Sequence, residues 1–364
     1  MSRVGIVGCG VISGVYALKL KALPFVDLVA CADIMPERAK QLAEEHSIAK
    51  TLDPDALLQD DDIDVVVNLT IPAVHYDVSR AAIDAGKSVF SEKPLALDLA
   101  QGLELGRAAA TAGVRVGCSP DTFLGAGLQT CRKLIDEGAI GQPVAASAFM
   151  LSPGPERWHP GPEIFYQRGA GPLFDMGPYY LTALVGLLGP ARRVTSSARI
   201  THAQREIKSE PLQGKMMDVE VPTHVSSVID LVGGPVATLV TSFDVQTTRL
   251  RNIEIYGTEG TLSVPDPNTF GGPVGLRRPG DREWEDTPLT HANADQSRGI
   301  GLGDMIKAIQ DDRPHRASLE LSTHVLDLME SIVVSSDEGR HVEPATTCER
   351  PAPLPPGLAD DAFG

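Results

Sequence analysis

The stretch VGIVGCGVISGVYALKL, residues 4 to 20, decides the fold prediction. Its apolar residues 4–8 predict a buried strand, and the residues after the glycines predict a helix over 11–22. Gly8 and Gly10 match the first two positions of the dinucleotide fingerprint G-x-G-x-x-G, but Ser13 occupies the third, and a glycine follows one place late, at Gly14. A glycine loop that opens a helix directs backbone N–H groups and the helix dipole at a pyrophosphate. The stretch therefore predicts the first turn of a dinucleotide-binding domain with an altered third position.

The rest of the first 120 residues repeats this alternation of strand and helix. Strands are predicted at 28–32, 65–69, 88–90 and 114–118, and helices at 36–46, 75–86 and 98–113. Strands that are apolar throughout and separated by helices are typical of a parallel sheet covered on both faces. With right-handed crossovers, residues 1–120 are predicted to form a doubly wound Rossmann domain.

The pattern changes after residue 120. Strands are predicted at 141–151 and in succession over 191–286, with a loop rich in Pro and Gly at 152–172. Helices are predicted at 124–137, from 174 or 175 to 188, at 297–311 and at 318–336. Residues 121–340 are therefore predicted to form a second domain on an open, mostly antiparallel sheet, which binds substrate and pairs with other subunits. The Pro-rich residues 341–364 are predicted to form an extended tail.

Composition narrows the function classes. The 364 residues carry 32 Lys and Arg against 48 Asp and Glu, a net charge of −16, which disfavours binding to nucleic acids or anionic membranes. No apolar run approaches the roughly 18 to 20 residues of a membrane span. The first residues lack the pattern of a secretory signal, so we expect a cytoplasmic protein. The five cysteines are scattered without C-x-x-C spacing, which predicts neither a disulfide framework nor a metal site.

An acidic residue meets the second requirement of a dinucleotide site. Asp33 ends the second predicted strand, 23 residues after Gly10. A carboxylate there accepts hydrogen bonds from the ribose hydroxyls of NAD and repels the 2′-phosphate of NADP, so we expect NAD. The loop residues Val11 and Ile12 are predicted to contact it. Further predicted cofactor contacts lie where the chain leaves the same edge of the sheet: Thr70, Pro72, His75, Glu92 and Lys93. The position of His75 fits equally a helix N-terminal residue with no chemical role.

Two segments carry candidate catalytic residues. In SVFSEKPLAL (88–97), Glu92, Lys93 and Pro94 follow a strand and lie beside the nicotinamide in such a fold. A partly desolvated lysine beside a positive ring has a lowered pKa and can exchange a proton with a substrate hydroxyl. In GAGPLFDMGPYYLTALVGLLG (169–189), Asp175 and Tyr179 are four residues apart on one predicted helix and so face the same way. Taken alone, these two residues fit equally a carboxylate favoured by the helix dipole and a core tyrosine.

These segments resemble those of the Gfo/Idh/MocA oxidoreductases, the family of glucose–fructose oxidoreductase and inositol dehydrogenases. The resemblance runs over nearly the whole chain, through GIVGCG (5–10), AGKSVFSEKPLA (85–96), GAGPLFDMGPYY (169–180) and IYGTEGTL (255–262). It implies a dinucleotide-binding domain joined to an open-sheet domain. It also implies a homodimer or homotetramer that assembles through that sheet.

The resemblance implies roles for single residues as well. Lys93 matches the catalytic lysine of the family, and Asp175 matches its substrate-orienting aspartate. Many members have histidine where this chain has Tyr179, whereas glucose–fructose oxidoreductase and dihydrodiol dehydrogenases resemble this chain in having tyrosine there. Either Lys93 or Tyr179 is then the base, and we expect a shared proton relay. Members often have alanine at the third fingerprint position, so Ser13 meets the need for a small side chain.

Other substrate contacts are predicted outside these segments. Asp121 and Thr122 follow the last strand of the first domain, where many relatives carry an asparagine–arginine pattern. Trp158 and His159 can close over a sugar, the indole covering its C–H face and the imidazole reaching a hydroxyl, although a rigid surface loop fits them equally. Gln129 is a further candidate.

The predicted function is NAD-dependent oxidation of a secondary alcohol of a sugar, glycoside or cyclic polyol, with hydride transfer to C4 of the nicotinamide. Two alternatives stay open. One is an enzyme that oxidises a sugar carbon transiently, so that a glycosidic bond is eliminated and NAD is regenerated. The other is a nucleotide-binding sensor or assembly subunit without catalysis. The fold supports many substrates, so the sequence does not set the sugar.

Overall fold

The structure is a computed structural model that describes all residues from 1 to 364. Its N-terminal part contains a six-stranded parallel sheet in the order β3-β2-β1-β4-β5-β6. The strands are Ser2–Val7 (β1), Val26–Ala32 (β2), Lys50–Leu52 (β3), Val65–Asn68 (β4), Ser88–Ser91 (β5) and Val116–Cys118 (β6). The helices are Ser13–Ala22 (α1), Pro36–His46 (α2), Pro54–Gln59 (α3), His75–Asp84 (α4) and Leu99–Ala112 (α5). This strand order is that of a dinucleotide-binding Rossmann fold, which confirms the predicted fold class.

Local chemistry explains several of these boundaries. Helix α3 begins after Asp53, whose side chain accepts a hydrogen bond from Ala56 N at 2.9 Å, and α5 begins after Asp98, which accepts from Gln101 N at 3.0 Å. Helix α5 ends at Gly113, which has the left-handed conformation common after helices. The sequence prediction lacked β3 and α3, because three strand residues and six helix residues are too short for a periodic pattern to show.

The C-terminal part contains an eight-stranded sheet in the order β16-β15-β14-β13-β7-β12-β11-β8, and β9 and β10 form a separate pair. Its strands are Pro143–Leu151 (β7), Ala191–Arg199 (β8), Gln204–Glu206 (β9), Met216–Asp218 (β10), His224–Leu231 (β11), Val236–Ser242 (β12), Ile253–Gly257 (β13), Thr261–Val264 (β14), Val274–Arg277 (β15) and Glu285–Thr287 (β16). Its helices are Ala126–Asp136 (α6), Gly171–Asp175 (α7), Gly177–Leu188 (α8), Ile300–Gln310 (α9) and Leu319–Glu338 (α10). All neighbouring strands of the large sheet are antiparallel except β7 and β12, in agreement with the predicted class.

One face of the large sheet is covered by helices and the other is open. Residues alternate along β11 and β12, so that Val225 and Leu239 are buried beneath the helices whereas Val228 and Val236 are exposed on the open face. Helix α10 also covers the edge strand β8, because the Ser336 hydroxyl accepts a hydrogen bond from Ala198 N at 2.8 Å.

The segment 341–364 is extended and crosses from β8 of the large sheet to helix α1 of the N-terminal part. It begins beside β8, where Val342 pairs with Val194, and continues past α6, where Leu354 N donates to Gln129 Oε1 at 2.8 Å. It ends against α1, where Lys19 Nζ donates to the Asp360 carbonyl at 3.1 Å. The tail is therefore part of the folded structure and contacts both parts of the chain.

All five cysteines are free thiols, and four of them are buried. No helix combines the length and the apolar character that crossing a membrane requires.

Candidate active site

The carboxyl ends of the parallel strands meet at one edge of the Rossmann sheet. This edge collects the glycine loop after β1, Asp33 after β2, Thr70 after β4 and Lys93 after β5. Ligands of open α/β sheets bind at this edge, so the structure brings the predicted cofactor and proton-transfer residues to the expected place.

Gly8 and Gly10 have different structural roles in the loop after β1. Gly8 has φ +97°, and a Cβ built on it would lie 2.6 Å from the backbone of Leu69, so no other residue fits there without moving that strand end. A Cβ built on Gly10 meets no protein atom within 4 Å. Gly10 therefore leaves free space on the side of the loop from which a pyrophosphate would approach. Ser13 is buried and donates its hydroxyl to the Gly10 carbonyl at 2.7 Å, so a small side chain does close this turn.

Asp33 lies directly beside the glycine loop. Its Oδ2 accepts a hydrogen bond from Cys9 N at 2.7 Å, and its Oδ1 accepts from Met35 N at 2.8 Å. Each oxygen of a carboxylate can accept more than one hydrogen bond, so these two backbone donors do not saturate it. The bond to Cys9 adds a role that the sequence did not reveal, because Asp33 also fixes the shape of the loop.

Apolar side chains that are exposed to solvent border this edge of the sheet. Val11 is fully exposed, and Ile34 and Ile71 are also exposed. Large apolar groups that face solvent around a cleft commonly mark a ligand site. Together with the open side of Gly10 and the carboxylate of Asp33, they fit the flat rings, the pyrophosphate and the ribose of a dinucleotide. Ile12 differs from Val11 because it packs against the core.

Lys93 joins the Rossmann edge to the second sheet's helices. Its Nζ donates to Asp175 Oδ1 at 2.8 Å and to the Asp175 carbonyl oxygen at 2.7 Å. The same ammonium lies 5.4 Å from the centroid of the Tyr179 ring. The three predicted catalytic residues therefore form one cluster, although Lys93 and Asp175 are 82 positions apart in the chain.

The helix that carries Asp175 is not continuous, and the prediction of one helix from 174 or 175 to 188 is wrong. Helix α7 ends at Asp175 and α8 begins at Gly177, with Met176 between them. The Tyr179 N–H bonds to the Met176 carbonyl instead of that of Asp175. The Asp175 carbonyl is thus left without a helical partner, and Lys93 takes it. Asp175 and Tyr179 face the same place because of this break, not because of helical spacing.

The Lys93 pKa is raised, which corrects the expected lowering. Burial lowers it, but the charge of Asp175 and the hydrogen bond to that carboxylate, together with Tyr179 and Glu92, outweigh burial. Lys93 is therefore an ammonium ion at neutral pH. The Tyr179 pKa is also raised, because burial disfavours the phenolate more than Lys93 and Arg298 favour it.

Glu92 is held by a residue of the first helix. Tyr16, which is buried in α1, donates its hydroxyl to Glu92 Oε1 at 2.7 Å and lies 2.7 Å from Ser119 Oγ. Glu92 Oε2 accepts from Lys93 N at 3.0 Å. Tyr16 thereby fixes the Glu92 carboxylate next to Lys93, and nothing in the sequence pattern indicated this role.

Arg298 is a second cation at the site that the sequence did not predict. Its guanidinium donates to Asn268 Oδ1 at 2.6 Å and to Gln296 Oε1 at 2.9 Å, and it lies 5.9 Å from the Phe270 ring centroid. It faces the Tyr179 hydroxyl, and although burial lowers its pKa, Tyr179 and nearby carboxylates raise it overall. The two side chains that bind the guanidinium are neutral amides and do not neutralise its positive charge. That charge therefore acts on the groups that face the cleft.

The predicted cofactor contact of His75 is wrong. Its side chain is only 1% exposed, and its two ring nitrogens contact the carbonyl oxygens of Pro94 at 2.7 Å and Thr70 at 3.0 Å. Burial lowers its pKa. The ring connects two loops of the site from behind and has no atom left for a ligand.

Asp121, Thr122 and Gln129 are also not substrate contacts. Asp121 is buried, and its Oδ2 accepts hydrogen bonds from Gly299 N at 2.8 Å and Gly301 N at 3.0 Å, so it caps α9. Burial raises its pKa to about 6. Thr122 is buried in the same turn, and the Gln129 amide binds the Phe123 carbonyl and the C-terminal tail.

Trp158 and His159 lie on the loop that precedes α7. Trp158 is 68% exposed and stacks edge-to-face on His159 at 5.4 Å, and His159 packs against Phe165 at 4.9 Å. Neither residue hydrogen-bonds to the Lys93 cluster; His159 Nδ1 accepts instead from Gly161 N at 3.1 Å. Their contact with a sugar stays a prediction.

Comparison with known proteins assigns both parts of the chain. Residues 2–119 match the model of the oxidoreductase family with an NAD-binding Rossmann fold, and residues 128–263 match that of the GFO/IDH/MocA C-terminal domain. The chain belongs to the GFO/IDH/MocA oxidoreductase family. It is therefore an oxidoreductase with an NAD-binding domain, and the resemblance found in its sequence is confirmed.

Several relatives that are similar to the chain are named for sugar substrates. D-xylose dehydrogenase of Paenarthrobacter nicotinovorans is 24% identical over 84% of both chains. The 1,5-anhydro-D-fructose reductase of Ensifer adhaerens is 29% identical over 72% of this chain and 75% of its own. The structure of levoglucosan dehydrogenase with NADH and L-sorbose superposes with a TM-score of 0.82 at 20% identity, covering 95% of this chain and 99% of that one. The latter likeness shows a shared fold.

Proposed function

We propose that this protein is an NAD-dependent dehydrogenase that interconverts a secondary alcohol and a ketone on a sugar, glycoside or cyclic polyol. One observation carries the proposal: the Lys93 ammonium is held by Asp175 beside Tyr179, at the edge of the sheet where the glycine loop and Asp33 lie. The sugar substrates named for the relatives support the substrate class. Asp33 supports NAD over NADP, because its carboxylate repels a 2′-phosphate and the residue that immediately follows it is Ile34 rather than an arginine.

NAD, when bound, accepts or returns the hydride of the reacting carbon, so the residues of the chain must handle the hydroxyl proton. In the reducing direction, the Lys93 ammonium donates a hydrogen bond and then a proton to the carbonyl oxygen. In the oxidising direction, the small fraction of Lys93 that is an uncharged amine accepts the proton of the substrate hydroxyl, with the Tyr179 hydroxyl relaying it. Asp175 keeps the ammonium in place and accepts a hydrogen bond from a substrate hydroxyl.

The direct test is a screen for NAD and NADP reduction over polyols, monosaccharides and glycosides, with the ketone forms assayed in reverse. We expect NADH formation equal to product formation with at least one sugar or polyol. NADH that never accumulates while a glycosidic bond is cleaved would identify transient oxidation and elimination instead. Tight NAD binding without turnover of any member of the panel would identify a sensor.

Assembly is a separate part of the proposal. The open face of the eight-stranded sheet carries exposed valines, Val228 on β11 and Val236 on β12, in a region without helices. We propose that two copies pair through this face in a homodimer or homotetramer. Val228→Arg should shift the mass measured by light scattering to that of one chain, whereas Ile309→Arg, on the exposed surface of α9, should leave it unchanged. A single-chain mass for the unchanged protein would contradict this.

Location and surface charge complete the proposal. Free thiols persist in reducing compartments, so the five free cysteines favour the cytoplasm. The net charge of −16 supports a small-molecule substrate without nucleic-acid or membrane partners. Fractionation of the source cells, followed by immunoblotting, tests the location.

A further inference from the structure

The His75 ring connects two loops of the site but takes no part in the transfer of the proton or the hydride. Its Nδ1 lies 2.7 Å from the Pro94 carbonyl oxygen, one residue after the catalytic Lys93. Its Nε2 lies 3.0 Å from the carbonyl oxygen of Thr70, in the loop that leaves β4 at the cofactor edge. The ring is almost completely buried, so both contacts are shielded from water. A buried hydrogen bond of this kind costs free energy when one partner is removed, because the other is left unpaired.

A second set of bonds holds His75 itself in place. The Asn68 side-chain amide donates to the His75 carbonyl at 2.9 Å and to Ser79 Oγ at 3.0 Å, while its oxygen accepts from the Thr70 hydroxyl at 2.6 Å. The Asn68 carbonyl accepts from Glu92 N at 2.9 Å. The loops after β4 and β5 are therefore joined both by the Asn68 backbone and by the His75 ring.

The two groups that contact the His75 ring restrict which side chains can replace it. Both are backbone carbonyls, which only accept hydrogen bonds. A neutral imidazole has one N–H and can satisfy one of them, whereas a protonated ring satisfies both. A glutamine side chain is uncharged and similar in length, and its amide nitrogen can donate to one of these carbonyls, as the neutral imidazole does. An apolar side chain of similar size can replace neither.

We propose that His75 is a positioning residue that sets the place of Lys93 relative to the cofactor edge. It acts by fixing the Pro94 carbonyl against the Thr70 carbonyl, so that the chain enters and leaves Lys93 in one conformation. The Lys93 ammonium is then already positioned for Asp175 and for the reacting oxygen of the substrate. Errors of about 1 Å in such positions cost roughly 10²-fold in rate.

The test compares His75→Gln with His75→Leu. This proposal rests on the dehydrogenase function for its kinetic readout. Once a substrate is known, His75→Leu should lower kcat by about 10- to 100-fold with a much smaller change in the KM for substrate, because the residue acts on the transition state through Lys93. His75→Gln should restore most of kcat. His202→Gln, an exposed histidine with no hydrogen bond of its own, is the matched control.

A second readout needs neither substrate nor NAD. Hydrogen exchange of the protein alone should accelerate at the backbone amides of 69–71 and 92–96 in His75→Leu, and stay near wild type in His75→Gln. If His75→Leu does not fold, His75→Ala replaces it, since it too donates to neither carbonyl. Wild-type exchange in both segments, or equal loss of kcat in the Gln and Leu variants, would overturn the proposal. A protein that turns over no substrate but shows the exchange pattern would refute the dehydrogenase function and leave His75 as the link between the loops.

Discussion

Lys93 Nζ binds both the side chain and the backbone carbonyl of Asp175, at 2.8 and 2.7 Å. The lysine comes from the loop after β5 of the Rossmann sheet, and the aspartate from the end of α7 in the other part of the chain. The Lys93–Asp175 pair therefore forms only when both parts are folded and docked. Its electrostatics follow from this pair, because Asp175 is the largest of the groups that raise the Lys93 pKa.

Removal of the lysine tests its part in proton transfer. Lys93→Ala should lower turnover by about 10²–10⁴-fold, because general acid–base catalysis contributes on that order. NAD binding, followed by fluorescence quenching, should be retained, since the glycine loop and Asp33 are untouched. Unchanged turnover would remove Lys93 from the mechanism.

Neutralising the aspartate should shift the pH dependence of alcohol oxidation. Oxidation requires a deprotonated base, and Asp175 raises the Lys93 pKa, so the wild-type rate should rise with pH into the alkaline range. Asp175→Asn removes the charge that stabilises the ammonium, so the rising limb of kcat/KM should move to lower pH. The exposed Asp337→Asn on α10 is the control. A limb that stays in place would show that a group other than Lys93 titrates.

Arg298 should be detectable through the ionisation of Tyr179. The guanidinium lowers the Tyr179 pKa against the effect of burial, so Arg298→Gln should raise that pKa further. Ultraviolet difference titration of phenolate formation, with Tyr179→Phe to identify the signal, measures it directly. Arg278→Gln, at an exposed arginine, should have no effect. A Tyr179 titration that is identical with and without Arg298 would contradict this coupling.

Alanine substitutions of the two fingerprint glycines should affect different properties, namely stability for Gly8 and NAD affinity for Gly10. Gly8→Ala combines a positive φ with a 2.6 Å contact to Leu69, so it should lower Tm markedly. Gly10→Ala meets no protein atom, so Tm should be nearly unchanged while NAD affinity falls. Thermal unfolding without NAD and calorimetric titration with it separate the two effects. Normal NAD affinity in Gly10→Ala would place the pyrophosphate elsewhere.

Buried histidines should weaken the protein in mild acid. Burial lowers the pKa of His324, whose Nε2 accepts a hydrogen bond from Ala191 N at 3.1 Å and so carries no proton. The unfolded chain takes up a proton below its ordinary pKa of about 6.5, and the folded one does so only at lower pH, so stability is lost as pH falls through that window. His324→Gln can keep the bond without titrating, and should flatten the fall of the urea midpoint between pH 8 and pH 5. The exposed His202→Gln should not flatten it.

The sequence predicted those parts of the site that depend on local pattern. The glycine loop and Asp33 follow strands whose length and apolar character are visible in the chain, and the Glu92–Lys93 pair follows another. The break between α7 and α8 also had a signal, because Pro178 is typical of the first turn of a new helix. The unbroken apolar pattern on both sides concealed it.

The rest depends on contacts between distant segments. Arg298 reaches Tyr179 from a loop whose position is set by Asp121 and by the tail, and no periodicity encodes that approach. The sequence pattern puts His75 at a helix start, as the structure does, but only the folded loops show that both its nitrogens contact carbonyls. The direction of the Lys93 pKa shift likewise required the position of Asp175.

The tail that crosses from β8 to α1 limits motion between the two parts of the chain. A hinge rotation that separates them would have to pull the tail either from α6, where Leu354 binds Gln129, or from α1, where Asp360 binds Lys19. The tail therefore acts as a strap that resists opening of the two parts as rigid bodies.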